Sequence, residues 1–134
     1  EDLQQKIARE FWAGCCDDEK AQKTIDKVFK EQGYLCDTHT ATGWAVAEQY
    51  AAETGDSRPM VVLSTASPYK FCNHVLTAVG ETLSGDGVEL LDQLNAVSGV
   101  AVPRRLAALK DKTRRFDLTA EKQEMDDVVL NFLQ

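Results

Sequence analysis

The chain has no long apolar run. Its longest uncharged stretch in the second half, Gln93 to Pro103, is too short and too polar for a membrane helix, which needs about 20 mostly apolar residues. Clustered basic charge is also missing: 15 Lys and Arg stand against 22 Asp and Glu, for a net charge of −7, and Arg104-Arg105 and Arg114-Arg115 are only doublets. A surface that neutralises phosphates needs such clusters, so neither a membrane nor a nucleic acid is an expected partner. Cysteine is sparse, with four residues at 15, 16, 36 and 72 and no C-x-x-C. That excludes a disulfide scaffold and points to a reducing, cytoplasmic setting with one or two core thiols. Walker-type loops, G-x-S-x-G elbows and G-x-G-x-x-G fingerprints are absent, and Gly85-Asp86-Gly87 reads as a turn. The sequence opens at Glu1 without a Met or a charged-then-apolar leader, so the expectation is a chain with no signal peptide, cut from something longer.

What remains is the composition of one ordinary soluble domain: 134 residues, 43% hydrophobic and 28% charged. Leu3, Ile7 and Phe11 form a short amphipathic piece that breaks near Gly14. A clear helix follows Cys16, capped by Asp17 or Asp18, with Ala21, Ile25, Val28 and Phe29 at helical spacing and Gly33 at its end. The loop Asp37-Thr38-His39-Thr40 precedes a second long helix, about 41–53, whose Ala41, Gly43, Ala45, Ala47, Ala51 and Ala52 leave room for a neighbouring backbone, with a sheet as the expected contact. Further helical pieces are expected around Phe71, Val75, Leu76 and Val79, over 88–97, over 103–109, and over 119–133. No internal repeat or low-complexity segment is present.

Met60-Val61-Val62-Leu63 is a continuous apolar run of the kind found in strands buried on both faces. Such a strand belongs to a multi-stranded sheet, yet only two weak further candidates exist, Tyr34 to Cys36 and Val100 to Val102. Either the protein is mostly helical and the run is a misread core segment, or the chain is part of a larger α/β protein.

Two polar segments could carry chemistry. In Ser64-Thr65-Ala66-Ser67-Pro68-Tyr69-Lys70-Phe71, hydroxyls at the end of a strand meet the start of a helix, a place suited to polar or anionic ligands; the competing reading is a simple helix cap. Pro68 suits the first turn of that helix. In Asp37 to Gly43, a carboxylate, an imidazole and three threonine hydroxyls lie close together and could place an acid and a base near a substrate, or could serve only as an N-cap. Cys36-x-x-His39 and Cys72-x-His74 supply two thiols and two imidazoles, but their spacings match no structural zinc pattern, so no metal is expected.

Taken together, Phe11-Trp12-Ala13-Gly14, Asp17-Asp18-Glu19, the run Gly33 to Gly43 and the run Val62 to Phe71 resemble the carboxyl-terminal part of the threonine synthase family, in its longer bacterial and fungal form. The family patterns GYLxDPHTAxG and LxTAHPAKF occur here in order, and the likeness covers about residues 11–71. Residues 72–134 form a helical remainder that follows the family mainly in helical pattern and position.

The resemblance implies an α/β fold: a mostly helical piece, with few strands, of a tryptophan-synthase-β-like, fold type II enzyme dependent on pyridoxal phosphate. The implied activity is a carbon-oxygen lyase reaction of threonine biosynthesis, converting O-phospho-L-homoserine and water to L-threonine and phosphate. The cofactor carries the hard chemistry in such enzymes. Thr65 matches the hydroxyl expected to hydrogen-bond the pyridine nitrogen, Asp37, His39 and Thr40 match the loop near the cofactor, and Lys70 matches a lysine that could hold an anionic substrate. Three positions depart from the pattern: Thr38 stands for the family Pro, Ser67 for a His, and Tyr69 for an Ala. The Schiff-base lysine and the phosphate-binding glycine loop of the family have no counterpart among these residues, so no catalytic residue is assigned and the chain alone is expected to be inactive. The rival reading is a non-catalytic, acidic helical domain for interaction or regulation. An unpaired sheet edge would also invite self-association.

Overall fold

The short amphipathic pattern at the amino end forms α1, Leu3–Glu10, which in this computed structural model buries none of its residues. The structure describes residues 2–113, 115–116 and 118–133; Glu1 and Arg114, named above, lie outside them. The segment after α1 turns back along the protein, where Trp12 packs edge-on against Tyr50 at 5.6 Å and the Cys15 carbonyl accepts from Gln49 Nε2 at 2.9 Å. A Cβ at Gly14 would stand 2.8 Å from both Gln49 Oε1 and the Trp12 ring, so a larger residue there would displace these side chains.

Asp17 caps α2, Asp18–Gln32, by accepting from the Lys20 amide at 2.8 Å. Its buried residues Ala21, Thr24, Ile25 and Val28 follow the i, i+3, i+4, i+7 stripe of an amphipathic helix. Gly33 ends it at a φ of 65°, a left-handed conformation that a side chain would strain. The next helix, α3, Thr38–Thr54, starts three residues earlier than expected because Asp37 caps it. Its small residues Ala41 and Ala45 are fully buried and let it lie close against α2. Lys27 of α2 pairs with Glu48 of α3 at 2.8 Å, and Trp44 Nε1 donates to the same carboxylate at 3.2 Å.

A 3₁₀ turn, Pro68–Lys70, leads into α4, Cys72–Ala78. This short helix is the middle of the core: it packs on α2 on one side and, on the other, on α5, Leu90–Ser98. The core joins Ile25 and Val28 of α2, Val75 and Leu76 of α4, Leu90, Leu91 and Leu94 of α5, and Leu35 and Cys36 of the α2–α3 connection. Each fully buried aliphatic side chain contributes about 1.5–3 kcal/mol of hydrophobic stabilisation. The chain continues through α6, Arg104–Ala107, and a 3₁₀ turn, Lys122–Glu124, whose Glu121–Glu124 capping box opens α7, Met125–Phe132. No residue of α7 is buried. Among the described residues no helix is long and apolar enough to cross a membrane.

The α/β expectation is corrected here: among the described residues no strand forms. A strand needs a neighbouring backbone to complete its ladder, and Met60–Leu63 has a helix beside it instead. Val62 lies over Gly43 of α3, and Met60 and Val62 line a shallow cleft of about 330 Å³ with Trp44, Ala47 and Glu48. Val61 and Leu63 are 87% and 75% exposed, so the run is not the doubly buried strand its composition suggested. The other two candidates serve as connections. Leu35 and Cys36 are anchored in the core between α2 and α3. Val100 bridges α5 and α6, its carbonyl accepting from Asn95 Nδ2 at 2.7 Å and from the Tyr69 hydroxyl. The small residues of α3 therefore meet α2 and an irregular segment rather than a sheet.

Candidate functional site

Burial of Leu35 and Cys36 fixes the backbone immediately before α3, and this sets Asp37 at the helix start with no exposed surface. Its Oδ2 accepts from the His39 amide at 3.0 Å and from His39 Nδ1 at 2.9 Å. Its Oδ1 accepts from the Thr40 amide at 3.2 Å and from the Thr40 hydroxyl. Burial alone would push the Asp37 carboxyl up, but the hydrogen bonds from Thr40 and His39 outweigh it and hold it below the usual carboxylate range. A carboxylate so engaged reaches a ligand only through His39 and Thr40. Because it can only accept, the proton on the imidazole sits at Nδ1 and leaves Nε2 as the open nitrogen of His39.

The hydroxyls expected between 64 and 67 fall into three different situations. Ser67 caps the 3₁₀ turn, accepting from the Tyr69 amide at 3.3 Å, with Pro68 at its first position. Ser64 accepts from the Tyr34 hydroxyl at 3.0 Å, and its Oγ lies 3.4 Å from Thr40 Oγ1. Thr65 is exposed, and its hydroxyl has no hydrogen-bond partner among the described residues. The capping and ligand readings of this segment therefore divide between residues: Ser67 caps, and Thr65 is the hydroxyl left for another group.

A half-open cleft of about 500 Å³ lies beside the start of α3. His39, Thr38 and Thr42 form one wall, Cys16 and Gln22 another, and Phe71 and His74 the third. His39 leans against the Phe71 ring at 5.0 Å, which limits where its imidazole can turn. Lys70 is exposed but faces away from this wall: it lines a second cleft, of about 310 Å³, with Asn73, Asp86 and Leu90. The structure thus brings Asp37, His39, Thr40 and Ser64 together, sets Thr65 beside them in the chain, and puts Lys70 on other ground.

The four cysteines are free. Burial pushes the Cys36 thiol up to about 11 and raises that of Cys72. Burial, with the Asp17 charge, also raises the Cys16 thiol. Among the described residues no three His, Cys, Asp or Glu side chains gather to hold a metal. Sequence reasoning weighed His74 only as a metal ligand and missed one contributor, Tyr34. Tyr34 reads as one residue of a short apolar run, and nothing in that run says its hydroxyl reaches 30 positions ahead to Ser64.

Residues 40–129 match the family described as "Threonine synthase, C-terminal". The match takes in Thr40, Ser64, Thr65 and Lys70 and begins just after Asp37 and His39. The chain is 31% identical over 113 residues to the threonine synthase of Corynebacterium glutamicum, covering 81% of this chain and 20% of that protein. It is 29% identical over 99 residues to threonine synthase-like 1 of Mus musculus, covering 71% of this chain and 13% of that protein. For threonine synthase-like 1 of Homo sapiens the identity is 28% over 118 residues, covering 84% and 15%. The matched part is a fifth or less of each of these relatives' length.

Proposed function

The chain belongs to the threonine synthase family, and from that premise we propose that it forms the carboxyl-terminal part of a threonine synthase dependent on pyridoxal phosphate. The reaction is the conversion of O-phospho-L-homoserine and water to L-threonine and phosphate. The observation that carries this reading is the family match across the site, together with the hydroxyl of Thr65, the one in residues 64–67 with no hydrogen-bond partner among the described residues, at the position where the family pattern calls for a hydroxyl.

The chemistry of the residues present fits one edge of the cofactor. Bound pyridoxal phosphate supplies an electron sink while phosphate leaves and water adds. A neutral, exposed hydroxyl such as that of Thr65 can donate to a ring nitrogen without protonating it, which tempers that sink. His39, with its Nδ1 proton held on Asp37, presents Nε2 as an acceptor beside the cleft. Thr40 keeps the Asp37 carboxylate in place behind it. Lys70 supplies an ammonium group for an anionic substrate, at the second cleft rather than the first. None of the nine lysines stands in the sequence context in which the family anchors its cofactor, so the chain alone is proposed to be inactive. A cytoplasmic setting belongs to the same proposal and is supported by the free thiols of Cys36 and Cys72 in the core.

The all-helical described residues also suit a regulatory or interaction module. Under that reading the buried Asp37 carboxylate is only the N-cap of α3, and the ordered His39 imidazole beside the cleft has no use.

In the full-length protein, Thr65→Val is expected to lower turnover by about 10-fold, the value of one hydrogen bond of about 1.4 kcal/mol, while the circular dichroism spectrum stays unchanged. Phosphate release from O-phospho-L-homoserine measures it. Unchanged turnover would count against the assigned role.

A further inference from the structure

We infer that Ser64 is a positioning residue for Thr65, held by a directed chain of hydrogen bonds that starts at Tyr34 and ends on the buried carboxylate of Asp37. The inference rests on the reading of Thr65 given above.

The direction of the chain follows from counting protons. A carboxylate accepts only, so the single hydroxyl proton of Thr40 goes to Asp37 Oδ1. Thr40 Oγ1 then has only lone pairs to offer Ser64, 3.4 Å away, and Ser64 must donate. Its own lone pairs accept from the Tyr34 hydroxyl at 3.0 Å. The carboxylate orients the Thr40 hydroxyl, and Ser64 donates to Thr40 in the arrangement in which it accepts from Tyr34. In that arrangement the one proton of Ser64 and one of its two lone pairs are engaged.

Engagement of this kind makes Ser64 a poor ligand contact and a good anchor. It ties the irregular segment that carries Thr65 to two structures built into the core, the start of α3 and the α2–α3 connection beside Leu35 and Cys36. Leu63 before Ser64 and Thr65 after it are both exposed, and the next anchors are Val62 over α3 on one side and Ser67, bonded to the Tyr69 amide, on the other. Without the Ser64 hydroxyl, Thr65 keeps its chemistry and loses the nearest of the anchors that fix its place. A hydroxyl that must meet a ring nitrogen within hydrogen-bond distance is sensitive to such a loss.

The test uses the full-length protein and titrates pyridoxal phosphate, reading the dissociation constant and the position of the visible band of the bound cofactor. Ser64→Ala is expected to weaken cofactor binding by about 3- to 10-fold and to move the band in the same direction as Thr65→Val. Ser64→Thr, which keeps the hydroxyl at an exposed position, is expected to stay within about 2-fold of the parent, a range set by the small effect of most surface substitutions. A thermal melt checks that all three variants fold. If Thr65→Val alters binding and band while Ser64→Ala matches the parent, the positioning role is wrong and the proposed function stands. Equal impairment in Ser64→Thr and Ser64→Ala would show that the hydroxyl is not what matters. If Thr65→Val itself changes neither binding nor band, the proposed function fails, and this inference fails with it.

Discussion

Replacing Asp37 by Asn separates the geometry of the helix cap from its charge. Asn is as good an N-cap residue as Asp in general, so the cap alone predicts almost no loss. This site is different, because both carboxylate oxygens accept two hydrogen bonds each, from His39 and from Thr40. The Asn oxygen can keep the Thr40 pair. Its amide nitrogen then faces the His39 N–H, 3.0 Å from the present Oδ2, donor against donor. The imidazole can move its proton to Nε2 and accept at Nδ1, but the backbone amide has no such option. A buried N–H left without an acceptor costs about 1–3 kcal/mol, and this one is part-buried, so Asp37→Asn should destabilise by about 1 kcal/mol. Asp37→Ala, which also strands the buried Thr40 hydroxyl and removes the cap, should lose about 2–5 kcal/mol. Urea unfolding followed by far-ultraviolet circular dichroism, at constant slope, measures both.

Acid adds a second arm to this measurement. The folded Asp37 carboxyl lies below its ordinary value of 3.8, so its contribution is complete above that value and is lost as pH falls through the lower, folded value. The Asn variant has no carboxylate to protonate at this position. The stability gap between parent and variant should therefore be full at neutral pH and narrow in acid. A gap under about 0.5 kcal/mol at pH 7, the spread of ordinary surface substitutions, would refute the account of the buried carboxylate. So would a gap that does not shrink in acid.

Two further outcomes follow from packing and burial. Gly43→Ala should stabilise by about 0.5–1 kcal/mol, because Ala is the better helix former and the new Cβ would meet only Val62 Cγ1, at an ordinary 3.4 Å; a lowered melting temperature would contradict this. Native thiol labelling at neutral pH should modify exposed Cys15 first and half-buried Cys16 more slowly, and should reach Cys36 and Cys72 only after unfolding. Reaction of Cys36 in the folded protein would show that its thiol is neither as buried nor as weakly acidic as the value of about 11 implies.

The helices were legible because their signals are local. Asp17 before α2 and Gly33 after it are cap residues next to the periodic stretch they bound, and Ala21, Ile25 and Val28 show their stripe within two turns. The start of α3 was misplaced by three residues because Asp37, Thr38 and Thr40 all qualify as caps, and only the buried connection before them selects Asp37. The run Met60–Leu63 failed for a different reason. Four apolar residues in succession carry no periodicity, and whether a second face is covered depends on elements far away in the sequence. Here α3 covers Val62 and leaves Val61 and Leu63 outside.

The site was legible as a set of residue types but not as a division of labour. Ser64, Thr65 and Ser67 carry interchangeable chemistry, a hydroxyl on a short side chain, and any of them could cap a helix or meet a ligand. Their difference comes from partners at three distances. Ser67 is claimed by the amide of Tyr69, two residues on, which a turn pattern could have shown. Ser64 is claimed by Thr40 and Tyr34, 24 and 30 residues back, and that requires α3 and the α2–α3 connection to be in place first. Thr65 is set apart by what its neighbours already do. A role set apart in this way by two engaged neighbours has no local sign, so Thr65→Val tests the assignment itself and Ser64→Ala tests how its place is held.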